Sequence, residues 1–359
     1  MNRTLRVYGA ACVLMIAAMA AQATTIVLPS DEQLIAKAQV IVEGEVIAST
    51  PYDRNGSIWT EASIAVTRTV KGEASGTIAV REPGGMLDDR ITKIFGAPEF
   101  ESGQRVLLFL THDNDGAYRV VDLFVGKFDE ATTTDGQRLW RRDDVTADVV
   151  LLDSAFQPIA SKNVQRDARG FDQFIDDRLA GRAGVRNYGV ENPILAKGGV
   201  ATPSKVQANF TLISEPTIYR WFRFDNGSNA AWYSAGTQPG YAGGGVSELQ
   251  TAMSSWTSYS EAKILYTYAG VRNGPVGGLS GANGFNEVVF NDPQNEIAGS
   301  WNSSTGGVVG TGGFNGVAAG GIWEAPFTAD AMHTAGAHGA FSITEGNLVI
   351  QDNVSSSTG

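Results

Sequence analysis

The chain is nearly free of the residues that do most metal and thiol chemistry. Among its 359 residues stand one cysteine, Cys12, and three histidines, His112, His333 and His338. Cys12 lies within a leader-like start, so a chain cut after that start has no disulfide, no thiol nucleophile and no thiolate ligand. Charge is sparse as well, at 18% of residues, and the formal balance is −11. An acidic chain without a lysine-rich run repels phosphate backbones and anionic headgroups, which argues against nucleic acid and membrane surfaces as partners. No stretch after residue 23 is apolar and long enough to span a bilayer. There is no Walker loop, no zinc-knuckle spacing and no Gly-x-Ser-x-Gly elbow.

What is abundant is glycine, with 43 residues. Many glycines with few charges point to strands and turns rather than helical bundles, and the length suits two domains. Residues 1–23 read as a secretory signal. Arg3 and Arg6 make its basic start, Val13 to Ala20 its apolar core, and Ala21-Gln22-Ala23 a small-x-small cleavage site. The expected location is secreted or periplasmic, with no membrane attachment after cleavage. Loss of Arg3 and Arg6 takes the formal charge from −11 to −13.

Residues 24–160 carry a β pattern. Val40 to Ile47 begins it. Ile58, Ala62, Ile64, Val66 and Val70 share one phase of an alternating strand. Thr77 to Val80, Arg105 to Leu110, Tyr118 to Val121 and Leu123 to Phe128 follow, separated by Asn-Gly, Lys-Gly and Pro-Gly-Gly turns. Short strands with such turns predict a small β-barrel. The run Val42-Glu43-Gly44-x-Val46, Lys71-Gly72, Gly84-Gly85 and Phe100-x-x-Gly103 to Leu110 resembles the N-terminal module of secreted bacterial proteases. In layout it is similar to netrin-like, oligonucleotide-fold-type barrels. His112 to Gly116 could suggest a calcium loop, but the carboxylates and closing Glu of such a loop are missing, and a hairpin turn is the plainer reading. Arg138 to Asp144 reads as a solvated hairpin.

Residues 161–205 read as a linker. Phe171, Phe174, Ile175 and Leu179 have helical spacing, which predicts a short helix at 170–180. From 206 to 359 the pattern is mixed. Thr217 to Phe224 predicts a strand, and Val246, Leu249, Met253 and Trp256 line one face of a helix. Strands are predicted at Ile264 to Tyr268 and Asn286 to Pro293, and a glycine-rich strand and loop at Gly306 to Phe314. A last hairpin, Phe341 to Ile343 and Asn347 to Asp352, turns at Glu345-Gly346.

Four of these elements carry a resemblance over residues 206–359. They are Ala252-x-x-x-Trp256 on the helix, Ile264-x-Tyr-x-Tyr268, Asn286-x-Val-x-Phe-x-Asp-Pro293, and Gly346-Asn-Leu-Val-Ile-Gln-Asp352. In this order they resemble the upper part of a matrixin-like metzincin zinc protease. The implied fold class is α+β: a small β-barrel, then an incomplete metzincin-type α/β domain with a twisted mixed sheet and one long helix. The implied function is that of a secreted zinc-dependent metalloendopeptidase precursor, acting on protein or peptide substrates as a monomer, with zinc as cofactor and calcium compatible with the pattern. In that family a His-Glu-x-x-His-x-x-Gly-x-x-His helix follows the last strand and holds the zinc; no such helix occurs here, and the expectation is a chain cut short before it. A sheet left without that helix is expected to expose apolar surface.

No catalytic, cofactor-binding or metal-ligating residue of the family can therefore be carried to a position of this chain. His333 and His338 are five apart and face differently on a helix or a strand, and His112 belongs to the other half. Glu287, Asp292 and Glu296 could pair as carboxylates, though an Asp-Pro turn accounts for them. Of the tryptophans at 221, 232, 256, 301 and 323, which could form a sugar platform, Trp221 and Trp256 are expected in the core, with Trp301 and Trp323 in glycine loops. The alternative to a protease precursor is a non-catalytic secreted binding protein. A third reading makes the barrel a pro-domain that restrains a downstream protease.

Overall fold

A computed structural model describes residues 24–113, 115–142, 149–159, 164–196, 218–237, 242–258, 264–323 and 338–351. The expected leader, Cys12, His333 and Thr217 lie outside the described residues. The first half contains β1 (Thr24–Val27), α1 (Asp31–Lys37), β2 (Val40–Arg54), β3 (Ser57–Lys71), β4 (Thr77–Pro83) and β5 (Gly85–Leu87). It continues with β6 (Arg90–Ile94), β7 (Arg105–His112), β8 (Tyr118–Val120), β9 (Lys127–Thr132), β10 (Arg138–Arg142) and β11 (Val149–Leu152). Then come β12 (Val164–Asp167), α2 (Ala168–Leu179), β13 (Gly189–Glu191), β14 (Ile218–Arg220), β15 (Ala230–Ala235), α3 (Val246–Thr257), β16 (Tyr266–Val271), β17 (Asn286–Phe290), β18 (Gly307–Trp323) and β19 (His338–Ile350). The described chain is mainly β, in two mixed sheets, with three helices.

One sheet runs β13-β12-β10-β9-β7-β2-β3-β4-β8, and β8 pairs back onto β7. The strands β2, β3, β4, β8 and β7 thus form a closed ring, antiparallel except for the β4–β8 pair. The ring closes between β4 and β8 at one residue pair, Val80 with Tyr118. The alternation read from the sequence places Ala62 and Ile64 inside the ring, with Val42, Val80, Leu108 and Val120. Gly44 allows β2 and β3 to approach closely: a Cβ there would lie 2.6 Å from Ile64 Cγ2 and 2.7 Å from the Ala65 carbonyl.

The other sheet runs β11-β1-β18-β19-β17-β15-β16. Strands β19, β17, β15 and β16 are mutually parallel, and β18 lies antiparallel to β19. Helix α3 makes the crossover between the parallel pair β15 and β16. Strands from the first half extend this sheet. β1 pairs with β18 at Gly307 to Thr311, β6 pairs with β18 at Gly313 to Val317, and β11 lies outside β1. A single apolar core connects both halves: Leu34, Phe109, Phe128, Trp140, Phe171 and Phe174 belong with Leu279, Ile297, Val289, Val308 and Val349. Val289 and Val349 are buried in it, whereas their neighbours Leu348 and Ile350, on the opposite face, are only half-buried.

Several expectations change in detail. The predicted last hairpin is one continuous strand, β19, because Gly346 is not at a turn; its amide donates to Asn286 Oδ1 at 2.9 Å and its bare Cα accommodates Trp232 and Trp221. Leu123 to Gly126 is a 3-10 turn rather than part of a strand, and among the described residues the strand at Tyr219 covers Ile218–Arg220 and gives way to a second such turn at Phe222–Asn226. The solvated hairpin at Arg138 is instead strand β10, which buries Leu139 and Trp140 and donates from the Trp140 indole to Asp172 at 2.8 Å. The helix predicted at 170–180 begins at Ala168 behind an Asp167 cap and buries Phe171, Phe174 and Ile175, although Leu179 is exposed. On α3 Met253 is buried and Val246, Leu249 and Trp256 are half-buried, in keeping with the predicted face. Trp301 lies in the loop before β18, as expected, but it is buried there beside Val27, with its ring tilted 55° to Phe156.

Candidate functional site

The glycine-rich segment between β16 and β17 is held down by carboxylates, not by apolar packing alone. Glu287 accepts from the Gly277 amide at 2.7 Å and from Asn283 Nδ2 at 3.0 Å. Glu296 accepts from the Leu279 amide, from the Ser280 amide at 2.9 Å and from the Ser280 hydroxyl. Glu345 accepts from the Gly284 amide at 2.6 Å. The Gly281 carbonyl accepts from Asn315 Nδ2 at 3.0 Å and Asn347 Nδ2 at 3.1 Å. Cross-strand register explains the convergence: Glu287 lies opposite Asn347, and Asn315 lies opposite both Glu345 and Thr92. A row of polar side chains therefore crosses the sheet and satisfies the backbone of a loop that would otherwise bury its own amides unpaired. Burial holds Glu296 above the ordinary carboxylate range against the pull of Ser280 and Leu279, and it does the same for Glu345 against Asn347 and Gly284.

This fixed loop forms one wall of a cleft of about 400 Å³. The opposite wall comes from the ring of the first half: the Asn55-Gly56 hairpin tip between β2 and β3, with Arg54, Ser57, Trp59, Asp113 and Arg119. Asn55 and Gly56 have φ of 56° and 89°, so both sit in the left-handed region that a two-residue hairpin turn requires. Trp59 lies under two guanidinium groups, with Arg54 4.6 Å and Arg119 5.0 Å from the ring centre. Arg119 is buried, pairs with Glu82 at 3.3 Å and donates to the Glu296 carbonyl at 2.7 Å, which ties the ring to the loop. Burial raises the Glu82 pKa despite the Arg119 charge.

The residues singled out from the sequence fall in different places. Glu287 and Glu296 both serve the loop, while Asp292 accepts from the Glu296 and Ile297 amides at 3.0 and 2.8 Å and shapes the turn before Glu296. Asp113 and Asp115 face Arg54 at 3.6 and 3.7 Å, and Asp115 also pairs with Arg81 at 2.5 Å. The His112 ring packs 5.0 Å from Tyr118, and His338 begins β19 far along the other sheet. Among the described residues no three His, Cys, Asp or Glu side chains are grouped so that they could hold a metal ion, so these residues do not fit the zinc that the resemblance implies. Trp221 and Trp232 flank Gly346, and only the backbone of Trp323 is described. Sequence reasoning missed the cleft because its walls lie far apart in the chain, one at residues 54–119 and the other at 276–296; the Asn-Gly pair and the glycine cluster at 277–284 were its visible traces. No protein-family model matches the chain, and no curated protein matches it.

Proposed function

We propose that the chain is the precursor portion of a secreted, zinc-dependent metalloendopeptidase of the matrixin-like metzincin kind, with the zinc-binding helix outside it. The observation that carries this reading is the strand order β16-β15-β17-β19-β18, parallel but for β18, with α3 as the crossover helix. A mixed sheet with a helical crossover between two parallel strands supports the metzincin-type domain that the resemblance implies. The closed ring of β2, β3, β4, β8 and β7 supports a netrin-like, oligonucleotide-fold-type barrel as the first module. Protein or peptide is the proposed substrate, and hydrolysis by zinc-activated water the proposed reaction. No step of it is assigned to residues of this chain.

The test is to read the gene downstream of Gly359 and to measure zinc in the full product. A His-Glu-x-x-His helix within about thirty residues, with one zinc per chain and peptide hydrolysis, is the expected result. A stop codon directly after Gly359 would reject it. A second reading, a secreted binding protein, is favoured by the polar cleft described above.

A further inference from the structure

The cleft between the Asn55-Gly56 hairpin and the carboxylate-held loop has its charges already answered. Arg54 faces Asp113 and Asp115 at 3.6 and 3.7 Å, Arg119 pairs with Glu82 at 3.3 Å, and Glu296 accepts from Ser280 and Leu279. Neither an anion nor a cation would find an uncompensated partner there. The lining is also poor in apolar side chains. What it offers is hydrogen bonding without net charge. The side chains of Asn55, Ser57 and Asn295 make no hydrogen bond among the described residues, and Arg54, which is held against the indole, makes no direct one, its carboxylate partners standing beyond 3.5 Å. Carboxamides and a hydroxyl both donate and accept. Ligand hydroxyl groups do the same, whereas an apolar or singly charged ligand cannot use both capacities.

Both walls are fixed before a ligand arrives. The hairpin turn is short, and the loop is tied at Gly277, Leu279, Ser280, Gly281 and Gly284. Preorganised donors and acceptors spend little ordering entropy on binding. A volume of about 400 Å³ is at the small-ligand end of the pocket range. We propose that this cleft is a binding site for a neutral saccharide unit, recognised by Arg54, Asn55, Ser57 and Asn295. The site is separate from any zinc chemistry and stands or falls apart from the protease reading.

The experiment titrates the full chain with glucose, galactose, N-acetylglucosamine, cellobiose and chitobiose by calorimetry, with acetate and spermidine as charged comparisons. The test variant is Asn55→Gly with Asn295→Gly; both positions have left-handed φ, of 56° and 53°, so glycine removes the carboxamides without backbone strain. At least one saccharide is expected to bind saturably to the native chain and about tenfold more weakly to the variant, whose circular-dichroism melt stays unchanged. Absence of binding by all five saccharides overturns the proposal, as does equal binding by the variant. Preferential binding of acetate or spermidine overturns it too, because the cleft would then recognise charge.

Discussion

Lys37 Nζ donates to both carboxylate oxygens of Asp122, at 2.9 and 2.6 Å, and to the Gly306 carbonyl at 3.2 Å. One ammonium group thus joins the C-terminal end of α1, the turn after β8 and the start of β18. The Asp122 amide in turn donates to the Ala298 carbonyl at 3.0 Å. Both side chains are almost fully buried, and desolvation raises the Asp122 pKa against the attraction of Lys37. Removing the cation alone leaves a buried carboxylate without its charge partner. Lys37→Met should cost about 3–5 kcal/mol in urea unfolding. Lys37→Met with Asp122→Asn should recover a large part of that loss, since asparagine tolerates the left-handed backbone at 122, where φ is 55°. Additive losses in the double variant would show that the two groups are not coupled.

The pH dependence of stability should carry the signature of Glu296. Its folded pKa lies above the unfolded value of 4.5 because of burial, so the folded chain binds this proton more tightly. The contribution is fully present below the unfolded pKa and is lost as pH rises through the folded pKa. Glu296→Gln removes the titration. The stability of the native chain relative to this variant should therefore fall as pH rises from about 4 to 7, measured by urea melts across that window. A difference that is constant with pH would contradict the assignment.

Gly346 is required by space, not by backbone conformation. A Cβ there would lie 3.1 Å from Trp232 Cη2 and 3.3 Å from Trp221 Cζ2. Gly346→Ala should destabilise the chain by about 1–3 kcal/mol through overpacking and shift the tryptophan emission. A neutral melt with unchanged emission would mean that the two indoles are free to move aside.

The sheet of the second half should not form alone. Its strand β18 is paired on one side by β19 and on the other by β1 and β6, and the main core takes side chains from both halves. A fragment of residues 206–359 should show no cooperative thermal transition, whereas the full chain should melt in one transition by calorimetry. A sharp melt of the fragment would show that the N-terminal strands are dispensable.

Much of the element pattern was readable locally. Period-two alternation located Ala62 and Ile64 inside the ring, and helical spacing located Phe171 and Phe174 on α2, because burial of one face imposes those periods. The Asn55-Gly56 pair marked its hairpin because few other residue pairs adopt positive φ at both positions. Strand β15 was missed, since Ala230-Ala231-Trp232-Tyr233-Ser234-Ala235 has neither alternation nor turn residues within it, yet it is the strand between β16 and β17. Glu345-Gly346 looked like a turn because the need for a glycine there arises from two distant tryptophans.

By itself the sequence determined the β-rich class, the amphipathic helices and the scarcity of metal-binding side chains, all of which follow from composition and short-range periodicity. Only the tertiary structure decided that β1 and β6 join β18, that Glu287, Glu296 and Glu345 converge on one loop, and that Asn55 faces Asn295 across a cleft. Those outcomes depend on which unpaired strand edges and buried polar groups meet in space. A local pattern records that a residue must be buried or paired, but not which distant residue will satisfy it.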